Sequence, residues 1–164
     1  MFYYIYTTIT CPGVIVHELA HALFCVFARV KIDKICLFRF GNPAGYVSHI
    51  VPKKFYQSFL ISFGPLMINS LLALFLFSLV RPPYFGWRFI VCIWLAIAIG
   101  LHSIPSTGDA KSLLMAVNSR FWHNPLVILA YPFILALYFL NLLKRLRIDI
   151  IYVGFLFWLG RFYL

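Results

Sequence analysis

His17-Glu18-Leu19-Ala20-His21 sets two imidazoles and one carboxylate within five residues. On an α-helix, positions i and i+4 share a face, so His17 and His21 can reach one cation together. Glu18 follows the first histidine and projects beside that cation, which suits a general base acting on water. The chain holds five His and one Glu, and that Glu lies inside the motif. Val14-Ile15-Val16 precedes the motif and Ala22-Leu23-Phe24-Cys25-Val26-Phe27 follows it. A carboxylate at the centre of so apolar a helix costs several kcal/mol in lipid unless it is paired, solvated or put to use. The plain structural alternative is a polar patch satisfied by neighbouring helices.

A catalytic zinc site takes three protein ligands plus water, so one ligand must come from elsewhere. The remaining acidic residues are Asp33, Asp109 and Asp149. Asp33 sits in a basic loop and Asp149 follows a basic cluster, and both read as exposed interfacial charges. Asp109 ends an apolar run at His102-Ser103-Ile104-Pro105-Ser106-Thr107-Gly108-Asp109. Pro105 and Gly108 break or bend a helix there, and a broken helix at membrane depth is tolerated where it lines a cavity. Asp109 is assigned as the third ligand, with a helix-capping role as its structural alternative. His102 competes for the ligand position and could instead stabilise an oxyanion or hold substrate. His49 and His123 read as loop or interfacial histidines.

The elements that must position these groups belong in lipid. Of 164 residues, 63% are hydrophobic and 11% charged, and mean hydropathy is +0.93. A soluble domain is about half apolar and about a quarter charged. Four segments approach the roughly 20 apolar residues that a bilayer core requires. They run from Phe2 to Ala28, interrupted at Cys11-Pro12-Gly13, from Phe55 to Val80, from Tyr84 to Ile104, and from Pro125 to Leu143. A shorter stretch, Ile150 to Tyr163, reads as a short fifth span or an interfacial helix. Residues 105–124 read as a polar connection. Ile35–Phe40 and Tyr46–Val51 flank Gly41-Asn42-Pro43-Ala44-Gly45, a β-hairpin signal. The expected fold is thus all-α and polytopic, a four-span bundle with a small cytoplasmic β-hairpin after the first helix, in a single domain over residues 1–164.

The 14 Lys and Arg outnumber the 4 Asp and Glu. The cations lie between apolar runs and form no nucleic-acid module, so they read as topology signals and anionic-lipid contacts. Six of them in residues 29–54 place that loop in the cytoplasm and the N-terminus outside. The same rule does not account for Lys144, Arg145 and Arg147, which would lie outside. The first ten residues lack the basic start of a cleavable leader. Cys11, Cys25, Cys36 and Cys92 form no CxxC pair, so neither a disulfide framework nor a cysteine zinc cluster is expected.

HELAH in the first core helix, followed by a hairpin region, resembles the site-2 protease family of intramembrane zinc metalloproteases. Gly41-Asn42-Pro43-Ala44-Gly45-Tyr46-Val47 is similar to that family's glycine-rich edge-strand segment. Phe63-Gly64-Pro65-Leu66-Met67-Ile68-Asn69 resembles its Gly-Pro…Asn signature, and Pro105 to Asp109 resembles its Asn…Pro…Leu-Asp-Gly signature, whose Asp completes the zinc site. The resemblance covers residues 11 to about 115. It differs in having His102 or Ser103 where the family has Asn, Gly108 for Leu, Ala110 for Gly, and one extra residue before Asn69. It implies a minimal catalytic core, without PDZ or CBS domain, that holds one Zn²⁺ on His17, His21 and Asp109. Glu18 would be the general base, with Asn69 and His102 near substrate or oxyanion. Asn69 reads equally well as a buried contact between helices. The implied substrate is a transmembrane protein or peptide, unwound and added as a strand to the 41–51 segment. The expected setting is a prokaryotic cell membrane, with the site towards the cytoplasm. A non-proteolytic zinc-binding scaffold or regulator is the alternative. A transporter fits less well, because inverted repeats and paired broken helices are lacking.

Overall fold

The computed structural model describes residues 2–80, 86–118, 131–143 and 147–162. The chain is mostly helical, in the order α1 (Phe2–Ile9), α2 (Cys11–Phe27), β1 (Ile32–Cys36), β2 (Tyr46–His49), α3 (Phe55–Ser78), α4 (Trp87–Leu101), α5 (Thr107–Asn118), α6 (Tyr131–Leu143) and α7 (Ile148–Phe162). The connection near Arg81, the start of the third expected span at Tyr84, His123, Lys144 and Arg145 lie outside the described residues.

The first expected span is two helices, bent by 77° between Ile9 and Cys11. Pro12 sits in the first turn of α2. There its missing N–H would otherwise have continued α1, and its fixed φ starts a new helix instead. Gly13 makes the sharp approach to α4 feasible, since a β-carbon on it would run into the main-chain carbonyl of Ala98 and meet the His102 ring 2.8 Å away. Two residues past the end of α2, Arg29 takes a left-handed conformation (φ 54°). The Val30 N–H then reaches back to the Cys25 carbonyl at 2.8 Å, closing the helix in a Schellman-type cap without glycine.

β1 and β2 pair antiparallel, with Cys36 opposite Tyr46 and Ile35 opposite Val47. The expected first strand, Ile35–Phe40, is therefore displaced towards the N-terminus, and the turn is wider than Gly41–Gly45. Pro43 cannot donate to a ladder. Arg39 instead closes the loop, its N–H on the Ala44 carbonyl at 2.6 Å and its Nε on the Pro43 carbonyl at 3.0 Å. Ile32 and Val47 pack on a core of Phe24, Cys25, Ala28, Val30 and Ile61, which pins the hairpin to α2 and α3.

α3 runs through the centre and contacts α2, α4, α5 and α7. Phe24 of α2 lies over Gly64, where a β-carbon would strike its ring. α7 joins α3 and α4 through Ala73, Phe77, Ala96, Ile99, Val153 and Leu156, so it is an integral part of the bundle. Residues 107–118 form α5, where a polar connection was expected. Leu113 and Val117 of α5 are buried with Ile134 of α6 against the phenylalanines of α3.

α3, at 24 residues, is long and apolar enough to cross a membrane, and α1 with α2 passes the same test as a bent pair. α4 and the Ile134–Leu143 part of α6 are apolar but shorter. Large apolar side chains, including Leu71, Phe75, Trp87, Ile90, Phe139, Ile151 and Phe162, remain exposed on the outside.

Candidate metal centre

α2 carries His17 and His21 on one face, and the first turn of α5 brings Asp109 to meet them. One ligand atom from each lies within 4.8 Å of the others, so the three residues could hold a metal ion. His17 Nε2 is 3.7 Å from Asp109 Oδ2, and His21 Nε2 is 3.3 Å from Asp109 Oδ1.

The far nitrogen of each ring is held. His17 Nδ1 donates to the main-chain carbonyl of His102 at 2.7 Å. His21 Nδ1 donates to that of Ile61 at 2.9 Å. A carbonyl can only accept, so each Nδ1 carries a hydrogen, and in the neutral ring each Nε2 turns a lone pair towards Asp109. Two lone pairs and a carboxylate then face one another, an arrangement that repels unless a cation or a proton lies among them. Neutral imidazoles with anchored second nitrogens and one carboxylate are the donor chemistry of a transition-metal site, so the residues present fit a metal ion.

Asp109 is oriented by its own helix start. Its Oδ2 accepts from the Ser106 N–H at 2.8 Å and the Ser106 hydroxyl at 2.7 Å, while its N–H donates to Ser106 Oγ at 3.2 Å. This is a reciprocal capping box. Capping and presentation to the histidines are therefore one role, with Oδ1 turned to His21.

Glu18 is 8% exposed and lines a cavity of about 620 Å³ shared with His17, His21, Asp109, His102, Tyr6 and the Asn42–Val47 segment. Gly45 is what lets the hairpin close over it, since a β-carbon there would lie 2.7 Å from Glu18 Cγ and 2.9 Å from the Leu37 carbonyl.

His102 contributes its carbonyl to His17, and its ring is engaged elsewhere. Thr10 spends its single hydroxyl hydrogen on the Tyr6 carbonyl at 2.8 Å. His102 Nε2, 2.9 Å from Thr10 Oγ1, must therefore be the donor in that pair. Among the described residues, the group able to share an ion is His17, His21 and Asp109, without His102. Asn69 is fully buried and does not line the cavity. Its Nδ2 donates to the carbonyls of Ile99 at 3.3 Å and His102 at 3.2 Å, holding the end of α4. Asn141 of α6 does the same for the bend beyond, donating to the Pro105 carbonyl at 2.7 Å.

His49 ends β2 and lines the cavity, with Nδ1 on the Ile50 carbonyl. Asp33 is exposed, as expected. Asp149 is not: in the first turn of α7 it is 5% exposed, with Tyr6 of α1 close by. Sequence reasoning also passed over Thr10, Ser106 and Gly45. Ser106-x-x-Asp109 ahead of an apolar run is a capping-box signature and could have located both the helix and the orientation of its acid.

Comparison of the chain with family models, with curated proteins and with solved structures finds no match.

Proposed function

We propose that the chain is an intramembrane zinc metalloprotease akin to the site-2 protease family, hydrolysing peptide bonds of membrane-embedded or membrane-adjacent protein substrates. The observation that carries this reading is the convergence of two anchored imidazoles and Asp109, with the chain's only Glu in the same cavity.

The membrane setting rests on composition and on the exposed apolar exterior. In this reading α2, α3, α4 and α6 are the four spans, and α7 is a short additional segment packed on them. The hairpin and the start of α5 face the cytoplasm, and the site lies towards that side of a prokaryotic cell membrane. Lipid then covers side chains that would be an aggregation hazard in water.

His17, His21 and Asp109 would hold the ion. Bound there, zinc supplies Lewis acidity that acidifies water towards neutral pH and polarises a carbonyl. Glu18 accepts the proton of the attacking water and delivers it to the leaving amine. The sharp end of α4, kept open by Asn69 and Asn141, leaves Ser106 to Asp109 at the cavity wall, where water can enter. The His102 ring lines the same wall, and in this reading the face not bonded to Thr10 contacts substrate. The edge of β2 that β1 does not pair is lined towards the cavity by Tyr46 and Val47. A substrate helix must unwind before its peptide bond is accessible, and an added strand here would keep it unwound.

The test is reconstitution of the purified protein in liposomes with a labelled single-span peptide. Cleavage is expected to require zinc, to stop on chelation, and to be lost in Glu18→Gln while zinc is retained. Zinc retained without Glu18-dependent cleavage of any membrane peptide would favour the scaffold or regulator reading.

A further inference from the structure

The acceptor that anchors His21 lies inside α3, where a main-chain carbonyl is ordinarily spent on the N–H four residues later. For Ile61 that residue is Pro65, which lies inside the helix and has no N–H to give. A proline within a helix also pushes the carbonyl four residues earlier away from the axis. The Ile61 carbonyl is thereby left without its intrahelical donor and tilted outward, and the donor that it meets is His21 Nδ1 at 2.9 Å. His17 uses the same device at another break, since the His102 carbonyl lies past the end of α4.

We infer that Pro65 is a positioning residue for the metal centre: by withholding an N–H from Ile61 it frees the carbonyl that fixes the tautomer and direction of His21. This rests on the metalloprotease reading. Pro65 is fully buried and does not line the cavity, so its effect on the site runs through the main chain. Such outer partners of ligating histidines commonly govern metal affinity by about 10–100-fold.

Pro65→Ala restores the missing donor and lets the Ile61 carbonyl return to the helix. Helix propensity improves while the anchor of His21 weakens, so metal affinity should fall with no loss of helix content. A merely structural proline would move them together or not at all. The experiment is zinc affinity by chelator competition on purified full-length protein, with the visible spectrum of the Co²⁺-loaded form and helicity from circular dichroism. Pro65→Ala is expected to keep its helicity, to lose about tenfold in zinc affinity, and to shift the Co²⁺ bands. Pro65→Leu restores the same N–H with a larger side chain and should do likewise, which covers the case where a cavity unfolds the alanine variant. Met67→Ala, an exposed position of the same helix, should leave affinity unchanged. Wild-type affinity in folded Pro65→Ala or Pro65→Leu overturns the inference alone. A wild type that binds no zinc overturns the metalloprotease reading and the inference with it.

Discussion

α4 passes through two regions of opposite character. Along its length the side chains of Ala96 and Ile99 meet Ala73 and Phe77 of α3 and Val153 and Leu156 of α7 in an apolar cluster. At its end, within three residues of Ile99, the His102 carbonyl receives both His17 and Asn69. The first region is held by close apolar packing around small residues, the usual means by which helices associate in lipid. The second is held by hydrogen bonds to carbonyls that a regular helix would have used internally. The difference teaches where an apolar helical chain, in lipid on the proposed reading, finds polar scaffolding. Few of its side chains can supply it, so the main chain does, wherever a helix stops or skips a bond.

That contrast can be broken experimentally. The largest effect is expected from His17→Ala or Asp109→Ala, which leave two donors and should abolish zinc retention through purification, as read by metal analysis. Retention at wild-type stoichiometry in both would mean that the ion is held elsewhere. Next, Glu18→Gln should reduce cleavage by about 10²–10⁴-fold, the range of a lost general base, with zinc content unchanged. In the apolar region, Leu156→Ala should destabilise the fold by about 2–5 kcal/mol, measured by denaturant titration in detergent, and leave zinc affinity as it was. A drop in zinc affinity there would show that the two ends of α4 are coupled. The smallest effect is expected for Ser106→Ala, which removes the cap on α5 at a cost of about 1 kcal/mol. It should weaken zinc only a few-fold, because the N–H of residue 106 still holds Asp109 Oδ2.

Much of the candidate centre was legible in advance, and the reason is local. His17, Glu18 and His21 stand on one uninterrupted helix, so their relation follows from its period alone. Asp109 was reachable because Pro105 and Gly108 announce a break, although the break proved to be the start of α5. The hairpin was visible, but its register was not: Phe38 and Phe40 are β-prone, yet Pro43 and the Arg39 clamp widen the turn. Asp149 was misread because its sequence neighbours are basic, while the folded chain buries it and brings Tyr6, far away in the sequence, close to it. The bonds that aim the two imidazoles go to backbone oxygens of Ile61 and His102. Side-chain identity says nothing of such partners, and only the fold brings them into reach.

The 77° turn between α1 and α2 has a practical consequence. Eight helical residues rise about 12 Å, and at that angle almost none of the length advances along α2. α1 therefore spreads sideways, and Tyr3, Tyr6 and Thr7 become part of the cavity wall. An affinity tag or fluorescent protein grafted ahead of Phe2 would begin one residue from that wall. Expression work on this chain is better served by fusions beyond α7.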